Sequence, residues 1–266
     1  MHELIDIGAN LAHDSFDDDR DTVLDRARDA GVTRIVLTGS SDTSNRDASD
    51  LAAAQPGFLS STAGVHPHHA AEYSDDSDRL IRELVGHSHV VAVGECGLDY
   101  FRNYSPRDAQ IDAFRRQLDI AVESKMPVFL HQRDAHEDYL AVLDPMLDSL
   151  SHAVTHCFTG TEHELRDYIE RDLYVGITGW ICDERRGKHL QDIVHLIPDD
   201  RLMIETDAPY LLPRTIRPKP KSRRNEPHYL TEVLAMVAGC RQQDTATVAR
   251  LTTDNARRFF ALDEAA

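Results

Sequence analysis

Short apolar runs alternate with segments of helical periodicity along the chain. The apolar runs are rich in Val, Ile and Leu and predict eight buried strands. They span residues 4–8, 34–39, 59–65, 90–95, 127–130, 153–155, 173–178 and 202–206. Helical spacing predicts helices at 17–30, before Pro56, at 78–85, at 105–125 with Pro106 just inside the cap, at 227–238 and from 244 to 260.

This alternation predicts a parallel sheet, because every connection is long enough for a helical crossover. The chain has 266 residues, and a closed barrel of eight βα units typically needs about 250. We therefore predict the α/β class and a TIM (β/α)8 barrel, formed as a single domain over residues 1–266. An open doubly wound sheet is the alternative, and no glycine-rich motif after the first strand supports its nucleotide-binding form.

The composition narrows the class of protein. The formal net charge is −17, which argues against extensive non-specific binding to nucleic acid but leaves room for local phosphate recognition. No apolar run is long enough to span a membrane, and the acidic N-terminus does not fit a signal peptide. The four cysteines have no CxxC spacing, which indicates neither a disulfide framework nor a zinc knuckle. We expect a cytoplasmic protein, monomeric and without a membrane partner.

Ligand-type side chains follow four of the predicted strands. Glu95, His131, His156 and Asp207 stand at the ends of the fourth, fifth, sixth and eighth strands. In a barrel these ends meet on one face, where active sites form. Taken alone, Glu95 also fits a salt-bridged structural acid, and each histidine fits a hydrogen-bonded residue near the core. Together, two imidazoles and two carboxylates predict a divalent metal site that suits Zn, Mn or Mg.

Other side chains near these strand ends have two open roles each. His66 and His68 follow the third strand and fit metal, phosphate or proton-transfer roles, or a solvated turn stiffened by proline. Arg133 fits a substrate contact or a surface ion pair with the next residue. Trp180 ends the seventh strand and fits a stacking platform for a base or a packing cap over the barrel mouth.

A cationic segment without any acid follows the eighth strand. It runs from Arg214 to Arg224, and prolines stiffen it as an extended loop. We expect it to bind phosphate groups, with Arg223 and Arg224 as the candidates, although charge compensation with surface acids is the alternative. Glu226 follows and fits either a helix cap or a partner that holds one of these arginines.

Seven short motifs spread over essentially the whole chain resemble the TatD deoxyribonuclease family. They are DIGAN at 6–10, GVHPH at 64–68, GECGLD at 94–99, HQRDA at 131–135, HCFTG at 156–160, ETDAPYL at 205–211 and RNEP at 224–227. The resemblance implies a TIM barrel, a divalent metal and hydrolysis of DNA, usually as a 3′-to-5′ exonuclease on single strands. It implies Glu95, His131, His156 and Asp207 as metal ligands. It also implies that His66 is a ligand or lies on the substrate side of the metal.

The sequence departs from many relatives of that family after the first strand. Many members of the family carry a His-x-His pair there, whereas this chain has Gly8 and Asn10. Asp6 or Asn10 are candidates for oxygen ligands of an outer metal, and binding of one tight ion is the alternative. Neutral oxygen donors suit Mg or Mn better than zinc.

We therefore expect a metal-dependent deoxyribonuclease that acts on single-stranded DNA with one or two bound ions, and we expect Mg rather than Mn or Zn to be the ion in use. Glu95, Asp207 and His66 are the expected catalytic residues, with Asp207 as the group that takes the proton from water. His66, His68, Arg133, Arg223 and Arg224 are the expected substrate contacts. Two alternatives remain. One is a metal-dependent amide or ester hydrolase, for example of aminoacyl-tRNA. The other is a weakly metallated barrel that binds another nucleic-acid-binding protein and has no enzymatic turnover.

Overall fold

The computed structural model describes residues 2–262. Its strands are β1 (Leu4–Ala9), β2 (Val32–Leu37), β3 (Leu59–Ala63), β4 (Val90–Asp99), β5 (Val128–Arg133), β6 (Ala153–Thr155), β7 (Tyr174–Ile177) and β8 (Leu202–Ile204). Its α-helices are α1 (Arg20–Asp29), α2 (Asp42–Ala54), α3 (Asp75–Leu84), α4 (Arg107–Ser124), α5 (His136–Leu143), α6 (Glu162–Glu170), α7 (Lys188–Ile193), α8 (Leu230–Arg241) and α9 (Thr245–Phe260).

The strands follow one another in sequential order in one eight-stranded sheet. Ala208, four residues after β8, forms an isolated parallel bridge with Ala9 of β1. Sequential strand order with this bridge is the topology of a (β/α)8 barrel and differs from the reversed order of a doubly wound sheet. The predicted fold class is therefore confirmed.

Most predicted boundaries are displaced by one to three residues from the observed ones, and two of the differences have clear local reasons. The fourth strand does not end at Glu95 but continues to Asp99, because glycines at 94 and 97 adopt φ values of 132° and 138° that keep the chain extended beside β5. Pro106 occupies the N-cap of α4, with ψ at 145°, and the first helical residue is Arg107. The periodicity does not delimit the short helices α5, α6 and α7, which have 8, 9 and 6 residues.

Contacts group the residues into two units. The unit Leu37–His156 contains β3 to β6 and α2 to α5. In it β4 pairs in parallel with β3 on one side and with β5 on the other. A Cβ at Gly97 would collide with the carbonyl oxygen of His131, so this close approach of β4 and β5 requires glycine.

The other unit comprises residues 1–36 and 157–266. Here Asn10 N–H donates to the Ala208 carbonyl over 2.6 Å, and Asp207 N–H donates to the Gly8 carbonyl over 2.8 Å. Helix α9 packs against β1 and β8 through a buried face that includes Val248, Phe259 and Phe260. The assignment of residues 1–266 to a single domain stays a prediction.

Among the described residues, no helix combines the length and apolar character that a membrane crossing demands.

Candidate metal centre

Four of the predicted site residues come together in the unit Leu37–His156. Glu95 Oε1 lies 2.7 Å from His156 Nε2, 2.9 Å from His131 Nδ1 and 3.3 Å from His66 Nε2. Glu95, His66 and His156 are buried and His131 is half-buried. Three imidazole nitrogens therefore surround one carboxylate oxygen.

Backbone hydrogen bonds of adjacent strand ends place these side chains. The Glu95 N–H donates to the Gly39 carbonyl over 2.7 Å, and the His156 N–H donates to the Leu130 carbonyl over 2.9 Å. His131 lies opposite Gly97 in the β4–β5 register. Carboxyl ends of neighbouring parallel strands thus deliver one ligand-type residue each, as barrel geometry requires.

The charges in this cluster depend on one another. Burial opposes ionisation of Glu95, but the imidazoles of His156, His66 and His131 hold the pKa of its carboxyl well below the usual value. Burial lowers the pKa of His66 to about 4, so this ring is neutral near pH 7. Burial also acts against protonation of His131, whereas the carboxylates of Asp99 and Glu95 raise its pKa. The result is a carboxylate that faces a neutral imidazole.

The donor set fits a divalent ion. Ligand atoms of His66, Glu95 and His131 all lie within 4.8 Å of one another. The buried His131 Nε2 has no hydrogen-bond partner among residues 2–262, although Asp99 Oδ2 lies 3.5 Å away. Imidazole nitrogens and a carboxylate oxygen are the ligands that Zn and Mn take in proteins. The cluster can therefore hold a metal ion, and the donor atoms do not by themselves specify which one.

Asp99 is a buried acid beside the cluster and was not among the predicted site residues. Its Oδ2 lies 2.8 Å from His68 Nε2, and its Oδ1 accepts the Arg102 N–H over 2.8 Å. Burial opposes its ionisation, but the imidazoles of His131 and His68 hold its pKa well below the usual range. Asp99 lies four positions after Glu95 in β4, and a strand period of two, which predicts both side chains on one face, was the signal available in the sequence.

His68 lies beside the cluster, and Arg133 lies beside an aromatic ring of the loop after β4. The His68 ring centroid is 4.2 Å from that of His66, so His68 contacts both Asp99 and a histidine of the cluster. The Arg133 guanidinium lies 3.9 Å from the ring centroid of Phe101. The predicted substrate contacts of His68 and Arg133 stay predictions.

The predicted ligands of the other unit form a separate set of hydrogen bonds. Asp6 is fully buried, and its oxygens accept from the Thr206 N–H at 2.9 Å and the Thr206 hydroxyl at 2.5 Å. Burial, with a smaller effect of Glu205, raises the pKa of Asp6 to about 8. Asn10 Nδ2 donates to Asp207 Oδ1 over 3.1 Å. Asp207, Asn10 and Asp6 as metal ligands stay predictions.

Acidic side chains neutralise the arginines at both ends of the cationic segment. Arg224 donates to both oxygens of Asp19, at 2.8 and 2.7 Å, and to Glu226 over 2.9 Å. Glu226 also accepts from Arg26 over 2.9 Å and makes no capping bond. Glu226 is therefore a partner that holds Arg224, and its alternative role as a helix cap is wrong. Arg214 is paired with Glu184 through two hydrogen bonds.

A cavity of about 620 Å³ lies beside the middle of this segment. Its lining includes Trp180, Arg217, Lys219 and Arg223. Among residues 2–262, the side chains of Lys219 and Arg223 have no hydrogen-bond or ion-pair partner, in a protein whose net charge is −17. The Trp180 ring is half-buried under the Arg186 guanidinium, at 4.3 Å from its centroid. The cavity is thus cationic with one aromatic wall.

Comparison with known proteins gives relatives of the same length. A protein of Erwinia billingiae named 3′-5′ ssDNA/RNA exonuclease TatD is 51% identical over 259 residues, which cover 97% of this chain and 99% of the relative. A protein of Dickeya dadantii with the same name is 52% identical over 257 residues, with 97% of each chain covered.

Solved structures agree with the observed fold. A TatD family hydrolase from Entamoeba histolytica superposes with a TM-score of 0.88 at 25% identity and covers 98% of this chain and 99% of its own. The TatD homologue YjjV from Escherichia coli gives the same TM-score and identity, with 98% of each chain covered. The model of the TatD-related DNase family matches residues 5–261. The chain therefore belongs to the TatD-related DNase family.

Proposed function

We propose that the protein is a metal-dependent exonuclease that hydrolyses phosphodiester bonds of single-stranded DNA or RNA from the 3′ end. The convergence of three imidazole nitrogens on Glu95 Oε1, at 2.7, 2.9 and 3.3 Å, carries the proposal. Family membership makes the protein a hydrolytic nuclease. The names of relatives at 51% and 52% identity supply the polarity and the single-stranded substrate.

Glu95, His131 and His156 are the proposed ligands of one tightly held ion, and Asp207 joins them on the basis of its place after β8. When bound, a divalent ion acts as a Lewis acid on the phosphodiester and makes a bound water more acidic. Mg is proposed as the ion in use, with Mn or Zn as alternatives. A second ion is proposed to bind more weakly, because Asp6 and Asn10 offer only oxygen donors.

The residues of the chain have distinct proposed tasks. Glu95 supplies a permanent negative charge, because its pKa is well below the usual value. His66 is neutral near pH 7 and is able to act as a ligand or to contact the substrate. Asp99 orients the His68 ring through the 2.8 Å contact to Nε2. Asp207 is proposed to accept the proton of the attacking water.

The cavity beside the cationic segment is the proposed site for neighbouring phosphates. Lys219 and Arg223 line it without protein partners among the described residues, so their charges are available to a polyanion. Arg224 contributes in another way, since its pairing with Asp19 and Glu226 holds the end of the segment in place.

The test is hydrolysis of a single-stranded oligonucleotide labelled at its 5′ end, with Mg, Mn and Zn in turn. We expect a ladder of products that shorten from the 3′ end. Glu95→Gln is expected to give no ladder, while its circular dichroism stays that of the wild type. Aminoacyl-tRNA and a dipeptide are assayed in parallel. Hydrolysis of either of these without a ladder would replace the nuclease by an amide or ester hydrolase.

We further propose a monomer that acts in the cytoplasm and contributes to DNA repair. All four cysteines are free in the structure, which is typical of proteins from a reducing compartment. Sedimentation velocity tests the oligomeric state, and a concentration-dependent dimer would contradict it. Sensitivity of a deletion strain to DNA damage tests the role in repair.

A further inference from the structure

Two large aromatic side chains are exposed in the loop between β4 and α4. Tyr104 is 68% exposed and Phe101 is 53% exposed. Exposure of single apolar residues is ordinary, but two exposed aromatic rings within four residues are apolar area that gains free energy when a ligand covers it. The loop that carries them, residues 100–106, directly follows Asp99 beside the metal-type cluster.

Hydrogen bonds fix this loop at several points. The Arg102 N–H donates to Asp99 Oδ1 over 2.8 Å, and the Asn103 N–H donates to the Asp99 carbonyl over 3.1 Å. At the other end, the Ser105 hydroxyl donates to the His68 carbonyl over 2.9 Å, and Gln110 Nε2 donates to the Ser105 carbonyl over 2.8 Å. The rings are therefore presented on an anchored loop, which lowers the entropic cost of binding a ligand there.

A chain of ring contacts connects this loop to the cluster. The Tyr104 centroid is 4.7 Å from that of His68, and the His68 centroid is 4.2 Å from that of His66. His66 Nε2 in turn lies 3.3 Å from Glu95 Oε1. Tyr104 is therefore connected to the Glu95 carboxylate through the rings of His68 and His66.

The charges around the exposed rings favour a polyanion with flat groups. The Arg133 guanidinium lies 3.9 Å from the Phe101 centroid, and the Arg102 guanidinium lies 5.6 Å from it. Aromatic rings flanked by arginine are typical of surfaces that stack unpaired bases while cations contact the backbone. An apolar protein segment would match the rings but not the two guanidinium groups.

We infer that Tyr104 and Phe101 form a base-stacking platform for the single-stranded substrate next to the metal site. This inference rests on the proposed nuclease function and adds the residues that would select single strands. In a duplex both faces of an internal base are covered by neighbouring pairs, so its bases cannot stack on the platform.

The test compares two substrates that differ only in their bases. One is a single-stranded oligonucleotide, and the other has the same backbone with abasic residues near its 3′ end. We expect kcat/KM of the wild type to be about tenfold higher on the base-bearing strand, which corresponds to the lower range of stacking effects per base. Tyr104→Leu and Phe101→Leu should lose most of this preference, because they lower kcat/KM on the base-bearing strand alone.

Tyr104→Phe is the matched control, since it keeps the ring and removes only the hydroxyl. It should retain the wild-type preference. An equal loss on both substrates with Tyr104→Leu, or an unchanged preference in both Leu variants, would overturn the platform.

Filter binding in EDTA separates this inference from the proposed function. Without metal the platform should still bind the base-bearing strand more tightly than the abasic one, and the Leu variants should not. If the wild type cleaves no oligonucleotide with any metal but keeps this binding preference, the nuclease proposal fails and the platform stands. Equal binding of both strands by the wild type would overturn the platform.

Discussion

At the scale of single residues, Glu95 determines the properties of the metal-type cluster. Its Oε1 is the atom that contacts His66, His131 and His156 at 3.3, 2.9 and 2.7 Å. Loss of its charge removes both a ligand and the group that balances the imidazoles. Every function proposed for the cluster therefore depends on this carboxylate.

Glu95→Gln should reduce affinity for Mn by at least roughly 100-fold, because loss of a residue that only hydrogen-bonds a metal ligand already costs up to about that much. Isothermal titration calorimetry of the metal-free protein measures the effect. Glu83→Gln is the matched control, because Glu83 is an exposed residue of α3. Equal affinity in the wild type and Glu95→Gln would remove Glu95 from the ligand set.

Gly97 is a second residue on which the site depends, for steric reasons. Its φ of 138° is rare for residues with a side chain, and a Cβ would collide with the His131 carbonyl. Gly97→Ala should therefore lower the free energy of unfolding by about 2–4 kcal/mol, as strained backbone substitutions do. Urea denaturation measures this change.

Gly239→Ala is the matched control for this substitution. Gly239 is exposed within α8, and a Cβ there would have no neighbour within 4 Å. Alanine should raise the free energy of unfolding by up to about 1 kcal/mol. Similar effects of both substitutions would mean that the β4–β5 contact tolerates a side chain.

At the scale of elements, two adjacent arginines of the cationic segment have different roles, one in ion pairs within the protein and one at the cavity. Arg224 is bound to Asp19 and Glu226, whereas Arg223 lines the cavity without a partner among residues 2–262. Arg223→Ala should leave stability unchanged and reduce the salt dependence of oligonucleotide binding by about one counterion. Arg224→Ala should instead lower the free energy of unfolding.

Binding isotherms over a range of salt concentrations and urea denaturation test this separation. The two variants are matched controls for each other, since each removes one positive charge from neighbouring positions. The opposite pattern, in which Arg223→Ala destabilises the fold and Arg224→Ala alone changes the salt slope, would contradict the assignment.

The ion pairs at the end of this segment also predict a pH dependence of stability. Burial opposes ionisation of Glu226, but His228, Arg224 and Arg26 lower its pKa from 4.5 to about 2. A carboxylate with a lowered pKa stabilises the folded state fully above pH 4.5 and loses that contribution as the pH falls towards 2. Glu226→Gln should lack this part of the acid transition.

Thermal unfolding of the wild type and Glu226→Gln from pH 7 down to pH 2 measures the difference. We expect the two curves to lie apart by on the order of 1–2 kcal/mol near neutral pH, after allowance for solvent screening. They should approach each other in acid. A constant gap at every pH would show that the side chain acts through packing and not through its charge.

At the scale of the whole molecule, the sequence predicts the features that depend on local pattern. The order of strands and helices follows from the apolar runs, and the candidate roles of Glu95 and the histidines follow from their position directly after these runs. The family membership follows from the motifs. The structure brings Glu95, His66, His131 and His156 together in one unit, as the strand ends require.

The remaining features depend on contacts between residues far apart in the chain. Asp99 contacts His68 only because β4 continues through Gly97 to Asp99. Strand propensity alone ends β4 too early, because its glycines make the strand irregular. Arg224 and Asp19 are separated by 205 positions, so a cationic segment alone does not show which of its charges are neutralised. Exposure of Tyr104 and Phe101 likewise follows from the packing of the loop, since aromatic residues are equally common in cores.

The wall of the cationic cavity has a spectroscopic consequence. Trp180 is the single tryptophan of the chain and lines the cavity with Lys219 and Arg223. Indole fluorescence from this protein therefore reports on one place, without labelling. In EDTA, a single-stranded oligonucleotide that enters the cavity should quench or shift this emission in a saturable way, and Lys219→Ala with Arg223→Ala should raise the midpoint of the titration. If filter binding detects a complex while the emission stays constant, the bound strand lies away from Trp180.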